Sequence, residues 1–281
     1  MKPVYIIGGD MRSCYMALYF IEKGYEVYFM DSFDSEMILN SGCKEISDIK
    51  EIHGIMILPV PVSKDMVYVN SKNNNISLAD IIAMSGSCDM VCGGVVPDIL
   101  ENECKRNNTV CYDFMKDDEV ACKNAIATAE GAIFDAFIGR GININGSKSL
   151  VTGYGRCAKP LAQRLKCMGS EVTIAARSNK ARAEAEAAGY QITDFDSMKD
   201  KAATYDFCFN TVPALVIKED FLRQVSSDIL IIDIASKPGG VDFAYCDGHD
   251  IQYKHSLGIP GRYSPETSGR ILAEAIIMKG F

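Results

Sequence analysis

Apolar runs rich in Val and Ile alternate with helical stretches along nearly the whole chain. Most runs are continuous rather than interrupted by polar residues, which is typical of strands covered on both faces. We predict strands at residues 4–7, 26–30, 54–58, 90–92 and 109–112, and a second series at 149–152, 171–175, 205–210, 229–233 and 250–253. Strands that alternate with helices favour parallel sheets of the doubly wound type. The pattern therefore predicts an α/β fold with two such sheets.

A long helix is predicted between the two series, at residues 117–140. Its apolar residues recur at helical spacing and are Ala121, Ala125, Ile126, Ala129, Ile133, Phe134 and Phe137. The stretch 264–278 has a similar apolar side and could return to the first domain, although the sequence does not show where it docks. We therefore place a first domain at 1–116 with helix 264–281 returning to it, a linking helix at 117–140 and a second domain at 141–263.

The composition narrows the class of protein. The chain has 281 residues, of which 48% are apolar and 23% charged, and this fits two globular domains. The net charge of -8 disfavours nucleic-acid binding, because phosphates require a basic face. We see neither an apolar run near the roughly 20 residues of a membrane span nor a signal peptide, and we expect a cytoplasmic protein. The 11 cysteines include no CxxC pair and the 3 histidines no ligand motif, so we expect reduced thiols and no bound metal.

One glycine motif carries candidate chemistry. Residues 153–158 read Gly-Tyr-Gly-Arg-Cys-Ala and lie between a predicted strand and a predicted helix. This is the context of a dinucleotide fingerprint, in which Gly153 allows the tight turn, Gly155 lets the backbone approach a pyrophosphate and Ala158 permits close packing. The helix N-terminus then holds the anion. A plain tight turn is the alternative interpretation.

A second nucleotide signal follows the next strand. Arg177 lies 24 residues after Gly153, close to the offset of about 20 at which an NAD enzyme usually has an acidic residue for the ribose hydroxyl. A guanidinium suits the 2′-phosphate of NADP, and Ser178 can add a hydrogen bond. We therefore expect NADP, with NAD as the alternative nucleotide and a solvated surface arginine as the alternative interpretation. The predicted cofactor-binding residues are Gly153, Tyr154, Gly155, Arg156, Cys157, Arg177, Ser178, Asn210, Thr211, Val212, Pro213 and Ala235.

A competing glycine turn lies in the first domain. Gly8, Gly9 and Asp10 follow the first predicted strand, and a later strand is followed by Asp31. The turn lacks the full fingerprint, and a carboxylate at Asp10 would repel a pyrophosphate. We interpret it as a substrate loop whose Arg12 is available to a carboxylate, with simple turn chemistry as the alternative.

Together these residues resemble the A-subunit family of dipicolinate synthase over nearly the whole chain. The markers are residues 7–12, 128–133, 152–156, 176–178, 210–213, 233–240 and 257–261, with Thr267 and Gly269. A more distant similarity is to the 2-hydroxyacid and alanine dehydrogenases. We thus expect two Rossmann-like domains, the first for substrate and the second for NADP, with the cofactor cleft between them. The resemblance implies a nicotinamide-dependent enzyme that, with the flavoprotein-like B subunit of dipicolinate synthase, converts 4-hydroxy-tetrahydrodipicolinate to dipicolinate in the mother-cell cytoplasm during spore formation.

To act on such a substrate, the protein needs residues that bind its two carboxylates and a residue that acts as acid or base. The candidate substrate-binding residues are Arg12, Gly9, Thr128, Lys237, Gly258 and Gly261, and the candidate acid–base residues are Glu130, His255 and Asp10, among which the sequence does not choose. The chain departs from the family where Glu266 replaces a usual lysine and Lys237 a common arginine. We expect a small dicarboxylate substrate, the B subunit as partner and a homo-oligomer. The alternatives are an NADP dehydrogenase of another small keto or hydroxy acid and a non-catalytic NADP-binding subunit.

Overall fold

The computed structural model describes residues 2–280, so residues 1 and 281, the outer limits of the predicted domains, lie outside the described residues. The strands are β1 (Val4–Ile7), β2 (Val27–Met30), β3 (Lys44–Glu45), β4 (Gly54–Ile57), β5 (Cys88–Gly93), β6 (Val110–Asp113), β7 (Lys148–Thr152), β8 (Glu171–Ala175), β9 (Gln191–Thr193), β10 (Phe207–Asn210), β11 (Leu230–Asp233) and β12 (Gln252–His255). The α-helices are α1 (Met11–Glu22), α2 (Ser35–Leu39), α3 (Leu78–Met84), α4 (Asp98–Arg106), α5 (Asp118–Arg140), α6 (Ala158–Cys167), α7 (Asn179–Ala187), α8 (Glu219–Leu222), α9 (Phe243–Gly248), α10 (Ile259–Tyr263) and α11 (Pro265–Met278). Short 3₁₀ helices span Ile49–Glu51, Ser85–Ser87, Phe114–Lys116 and Met198–Thr204.

The chain divides into two units. Unit 1 is Met1–Lys123 with Ser264–Phe281, and unit 2 is Asn124–Tyr263. Helix α5 begins in unit 1 and continues through the first part of unit 2. Helix α11 belongs to unit 1, although it follows unit 2 in the chain.

Each unit is built on a parallel sheet of six strands. The strand order is β3-β2-β1-β4-β5-β6 in unit 1 and β12-β11-β10-β7-β8-β9 in unit 2. Both sheets start in the middle and wind outwards in both directions, which is the doubly wound Rossmann order. The predicted fold class is therefore confirmed for each unit. The order reverses between β1 and β4 and between β7 and β10, and ligands of such sheets bind beyond the carboxyl ends at these points.

The central strands are buried because helices cover both faces of each sheet. In unit 1, Phe20 and Phe29 pack in a cluster on one face and Met56 in the cluster on the other. In unit 2, Phe209 and Phe221 belong to the two corresponding clusters. Side chains that alternate in direction along a strand thus feed two cores, which explains the continuous apolar runs.

Helix α11 packs against α1 within unit 1. A Cβ on Gly269 would lie only 2.6 Å from the backbone oxygen of Arg12, so the two helix backbones approach closely. The Tyr19 hydroxyl donates to Glu274 across the pair at 3.3 Å. The small side chain at Gly269 therefore determines how near α11 lies to the helix that carries Arg12.

Three details of the predicted elements are wrong. The edge strands β3 and β9 were not predicted, because they are short and mostly exposed and have no apolar run. The last strand runs to His255 rather than stopping at Tyr253, and Asp250 precedes it with a positive φ of 54°. The predicted strand at residues 90–92 is too short, since β5 extends from Cys88 to Gly93.

No helix within residues 2–280 has the length and apolar character needed to cross a membrane. Across the same residues, no three or more His, Cys, Asp or Glu side chains are grouped so that they could hold a metal ion. Cys88 and Cys92 are buried free thiols in β5.

Candidate functional site

The turn after β7 needs glycine at its first position. Gly153 has a φ of +87°, a conformation that L side chains rarely adopt, and its amide donates to Ala175 at 2.8 Å. A Cβ there would lie 2.7 Å from the hydroxyl oxygen of Thr211. Gly153 is therefore required by the backbone and by the residues that follow β10.

Neither the backbone conformation nor neighbouring atoms require glycine at position 155. It is exposed, its φ lies outside the left-handed region and a Cβ there would meet no atom within 4 Å. The open space beside this backbone is what a pyrophosphate needs in order to approach it closely. The residues present thus fit a dinucleotide.

Helix α6 begins three residues later, and its N-terminus suits an anion. The structure gives α6 no side-chain cap and no acidic residue in its first turn. The positive end of its dipole is therefore not offset by a carboxylate of the first turn, and a phosphate is stabilised at such an end.

The glycine turn of unit 1 is filled by the chain itself. Asp10 caps α1 by accepting from the Arg12 amide at 3.0 Å. The Gly9 amide donates to Asn70 at 2.9 Å, and a Cβ on Gly8 would lie 2.7 Å from that of Ser71. Asp10 and the backbone at Asn70 thus make the contacts of this turn, and its role as a substrate loop stays a prediction.

Arg177 follows β8 at the same edge of the unit 2 sheet as Gly153. Its side chain is exposed, and within residues 2–280 no hydrogen bond or ion pair engages its guanidinium. Ser178 caps α7, because its hydroxyl accepts from the Ala181 amide at 3.2 Å. The backbone oxygen of Arg177 accepts from Arg182 at 3.0 Å. The backbone at Arg177 is therefore fixed while its charged group faces solvent.

Asn210 ties together the ends of β7, β10 and β11, and it is fully buried. Its side-chain oxygen accepts from Thr152 at 2.5 Å and from the Val212 amide at 3.1 Å. Its amide group donates to Val212 at 3.0 Å and to Asp233 at 2.7 Å. All hydrogen-bonding capacity of the Asn210 side chain is thus used within the protein, where it holds the Thr211–Val212–Pro213 turn, and none is left for a ligand.

Asp233 extends this network to the loop that carries Lys237. Its fully buried carboxylate accepts from the Ala235 amide at 2.9 Å and from the Gly240 amide at 2.7 Å. A Cβ on Gly240 would lie 2.4 Å from the Val212 oxygen, so the loops after β10 and β11 pack directly on each other. Lys237 is exposed in this loop, between two residues that the network fixes. Sequence reasoning assigned no role to Asp233, although an acid at the end of a fully apolar strand is a signal of such a cap.

His255 lies beside the same loop at the end of β12. Its Nε2 is 3.1 Å from the Ala235 oxygen, and its ring stacks on Phe243 with centroids 5.0 Å apart. In the sheet it is the register partner of Asp233. The half-buried imidazole thus lies next to Ala235, at the start of the loop that carries Lys237, and its role as an acid–base residue stays a prediction.

The other acid–base candidates have partners on the protein. Glu130 is exposed and forms an ion pair with Arg164 of α6 at 3.1 Å. The nearby Thr128, which is a candidate substrate-binding residue, donates to the Asn124 oxygen one turn earlier in the same helix at 3.0 Å. Asp10 is held by the guanidinium of Arg12 at 2.7 Å in addition to capping α1. Each of these three groups has a structural partner that accounts for it.

Arg12 is less available than the sequence suggests. Its side chain is only 14% exposed, and it donates to Asp10 and to the Val60 oxygen at 2.8 Å. A substrate carboxylate would share this guanidinium with Asp10.

The remaining candidates lie near the C-terminus. Gly258 has a φ of +64° just before α10, and Gly261 lies inside that helix. Glu266 is exposed in the first turn of α11, where a carboxylate suits the helix dipole.

A buried carboxylate on α5 was missed by sequence reasoning. Asp135 is fully buried and accepts hydrogen bonds from Lys254, Ser256 and Tyr263. Burial raises its pKa, but these hydrogen bonds outweigh that effect and leave the pKa below the usual range. The same contact with Asp135 raises the pKa of Lys254. Lys254 and Ser256, which flank His255 in the chain, are therefore both held by Asp135. Helical spacing along α5 cannot predict these contacts, because the partners of Asp135 lie far away in the sequence.

Two family models match the chain. One, the N-terminal domain of the dipicolinate synthase A subunit, matches residues 3–115, and the other, the NAD-binding domain of D-isomer specific 2-hydroxyacid dehydrogenases, matches residues 126–236. The second match contains the turn after β7 and Arg177. The strand order and the open backbone at Gly155 agree with this assignment of nucleotide binding to unit 2.

The proteins similar to the chain over nearly its whole length include dipicolinate synthase A subunits. The dipicolinate synthase A subunit of Bacillus subtilis (strain 168) is 28% identical over 278 residues, which cover 96% of this chain and 93% of that protein. The solved structure of the dipicolinate synthase A subunit from Bacillus halodurans is 27% identical with a TM-score of 0.87, covering 99% of this chain and 97% of that one. The corresponding solved structure from Bacillus subtilis is 26% identical with a TM-score of 0.85, covering 99% and 95%. The chain is therefore an NAD(P)-dependent oxidoreductase that resembles the dipicolinate synthase A subunit along nearly its whole length.

Proposed function

We propose that the chain is an NADP-dependent subunit that, with a second subunit, converts 4-hydroxy-tetrahydrodipicolinate to dipicolinate. The observation that carries the proposal is the similarity to the A subunit of dipicolinate synthase over 96% of the chain, together with a nucleotide turn that is open at Gly155. We place this activity in the cytoplasm of a spore-forming mother cell, as the resemblance implies.

The cofactor proposal rests on the residues at the carboxyl edge of unit 2. The turn 153–157 and the start of α6 would hold the pyrophosphate, and Arg177 would hold the 2′-phosphate of NADP. The exposed, unengaged guanidinium of Arg177 and the absence of an acid at this position favour NADP over NAD. When bound, the nicotinamide accepts a hydride.

The proposed reaction removes water and then two electrons from the ring. One water leaves with the 4-hydroxyl, and one hydride and one proton then leave the dihydro ring, giving one aromatic dipicolinate and one reduced nicotinamide. The protein must therefore hold two carboxylates and accept a proton. Lys237 is an exposed cation of unit 2 on a loop fixed by Asp233, and Arg12, whose guanidinium the substrate would share with Asp10, is the corresponding candidate of unit 1.

His255 is our preferred acid–base residue. Its half-buried ring lies within 3.1 Å of the Ala235 oxygen, beside the loop that carries Lys237. Imidazole has a pKa suited to proton transfer near neutral pH. Glu130 and Asp10 are less favoured, because Arg164 and Arg12 respectively already engage their carboxylates. We expect His255→Ala to lower turnover at least 100-fold and Glu130→Gln to leave it within twofold.

The test is a coupled absorbance assay. The chain and the second subunit, alone and together, are given 4-hydroxy-tetrahydrodipicolinate and NADP, while dipicolinate and NADPH are followed at their own ultraviolet wavelengths. We expect equal amounts of both products from the complete mixture. Reduction of NADP with another keto or hydroxy acid, but not with this substrate, would instead indicate a different dehydrogenase. No turnover of any substrate by the complete mixture would indicate a non-catalytic nucleotide-binding subunit.

A further inference from the structure

A groove follows the exposed side of α6 in unit 2 and has a volume of about 490 Å³. Its floor is formed by Lys159, Gln163 and Lys166, which are exposed and share one side of the helix at helical spacing. Its walls include Tyr154, from the turn before α6, and Tyr190, which follows α7. Sites for small molecules usually have volumes of about 300–1,000 Å³. The groove therefore has the size of a small-molecule site.

The two tyrosine rings form an aromatic corner in this groove. Their centroids are 6.0 Å apart and their planes are inclined by 68°, so Tyr154 and Tyr190 meet edge to face. Both side chains are half-buried, because they pack on the core of unit 2 and also line the groove. Within residues 2–280, no hydrogen bond engages either phenol hydroxyl. The corner therefore offers a ligand two ring surfaces and two hydroxyl groups.

Each ring of the corner also has an ammonium group beside it. The Lys159 Nζ lies 5.1 Å from the centroid of Tyr154, and the Lys166 Nζ lies 4.9 Å from the centroid of Tyr190. A cation at this distance is attracted by the electrons of the ring. Both ammonium groups are therefore held next to the aromatic corner, where an anion in the groove can reach them.

The chain offsets the charge of these lysines only in part. Lys166 donates to the backbone oxygens of Ala188 and Gly189, each at 3.0 Å, and these carbonyls carry no net charge. Lys159 forms an ion pair with Glu184 at 2.9 Å, but both side chains are exposed, and such a pair stabilises the fold little. A ligand anion can therefore compete with Glu184. The groove is thus a positive site on a chain whose net charge is -8, and it attracts anions.

We propose that the groove binds a planar aromatic carboxylate. The ring of the ligand packs in the corner of Tyr154 and Tyr190, and its carboxylate accepts hydrogen bonds from Lys166. An aliphatic anion gains the charge of the lysines but not the ring contacts, whereas an uncharged aromatic compound gains only the ring contacts. The groove therefore favours molecules that combine a ring with a carboxylate.

The groove is separate from the backbone that we assign to the nucleotide. The pyrophosphate is assigned to the backbone at Gly155 and to the N-terminus of α6, whereas the groove follows the side of that helix. We therefore expect both to be occupied at once. The product in the proposed function, pyridine-2,6-dicarboxylate, belongs to the proposed class of ligand. Its assignment as the natural occupant rests on the proposed function, whereas the binding of aromatic carboxylates does not.

The test is calorimetric titration of pyridine-2,6-dicarboxylate into the full chain, with and without excess NADP. Pentanedioate serves as the aliphatic probe, because it also has three atoms between its two carboxylates but no ring. We expect the aromatic probe to bind about tenfold more tightly than pentanedioate, with the same affinity in the presence of NADP. Lys166→Gln and Tyr190→Leu should each weaken its binding about fivefold or more. The matched control is Lys201→Gln, since Lys201 is exposed in unit 2 outside the groove and its replacement should leave the affinity within about twofold.

Four results would overturn the proposal. They are the absence of binding to the wild type, equal affinities for the two probes, displacement of the aromatic probe by NADP, and wild-type affinity in both Lys166→Gln and Tyr190→Leu. In the last case, loss of binding in Arg12→Ala would place the ligand on the substrate loop instead. Unfolding curves of each variant separate loss of the ligand from loss of the fold. Failure of the proposed function is seen separately, because a chain that turns over no substrate would still bind the probe in the groove.

Discussion

The two glycines of the turn after β7 should respond to alanine in opposite ways. Gly155→Ala places a methyl group in open space, at a backbone conformation that alanine tolerates. Its free energy of unfolding should be unchanged or higher by about 0.4–1 kcal/mol, because the unfolded chain loses conformational freedom. The same methyl group occupies the space through which a pyrophosphate reaches the backbone, so NADP affinity should fall at least tenfold, which is about 1.4 kcal/mol.

Gly153→Ala should damage the fold as well. Its φ of +87° strains an L residue, and its new methyl group would lie 2.7 Å from the Thr211 hydroxyl oxygen. Together these effects should cost about 2 kcal/mol, or roughly 4–8 °C in Tm for a domain of this size. Both variants are compared with Gly248→Ala, an open and exposed glycine away from the turn, which should change neither quantity beyond the small gain in stability.

Calorimetric unfolding and NADP titration of the three variants provide the assay. We expect Gly155→Ala to weaken NADP binding without a loss of stability, while Gly153→Ala reduces both. If Gly155→Ala bound NADP as tightly as the wild type, the open space beside this backbone would not be the place where the pyrophosphate binds.

Three further substitutions probe the buried acids and the surface pair. Asp135→Asn should lower the free energy of unfolding by about 1–3 kcal/mol, since it leaves Lys254 without its buried partner. Because the pKa of Asp135 is lowered in the folded chain, its stabilisation is complete above the ordinary aspartate pKa of about 3.9 and is lost as the pH falls through the acid range. The variant should therefore match the wild type more closely at pH 3 than at pH 7, and an equal difference at both pH values in urea unfolding would contradict this. Asp233→Asn should cost about 1–3 kcal/mol in the same experiment, because the amide presents hydrogens to the Gly240 amide, and an unchanged midpoint would count against the loop anchor. Glu130→Gln should change the free energy of unfolding by less than about 1 kcal/mol, as expected for an exposed ion pair. A larger loss would show that the Glu130 carboxylate stabilises the fold through more than its ion pair with Arg164.

The two doubly wound sheets could be predicted from the sequence, because the pattern of apolar residues that specifies each strand and helix is local. Continuous apolar runs are a direct consequence of two-sided burial, and the helix after Gly153 follows from its spacing. The edge strands β3 and β9 have no such run, since one side of an edge strand has no neighbouring strand to bury it.

The site was predictable only in part. The open turn at Gly155 and the position of Arg177 depend on residues close together in sequence, so a motif can describe them. The anchors at Asp135 and Asp233 depend on partners brought together by the fold, such as Ser256, which lies 121 residues from Asp135. The exposure of Phe134 and Phe137 could not be predicted for a related reason, because helical spacing shows that they are apolar but not that Ala129, Ala132 and Ala136 fill the packed side of α5.

Nucleotide binding by the turn after β7 is tested most directly by calorimetric titration of NADP and NAD into the chain, alone and with the proposed second subunit, for the wild type and Arg177→Ala. We expect NADP to bind at least tenfold more tightly than NAD, and Arg177→Ala to remove about 1.4 kcal/mol or more of this preference while binding of NAD is retained. Binding of neither nucleotide in either sample would contradict the claim that the turn after β7 holds a dinucleotide. Equal affinities that Arg177→Ala leaves unchanged would contradict the assignment of the 2′-phosphate to Arg177.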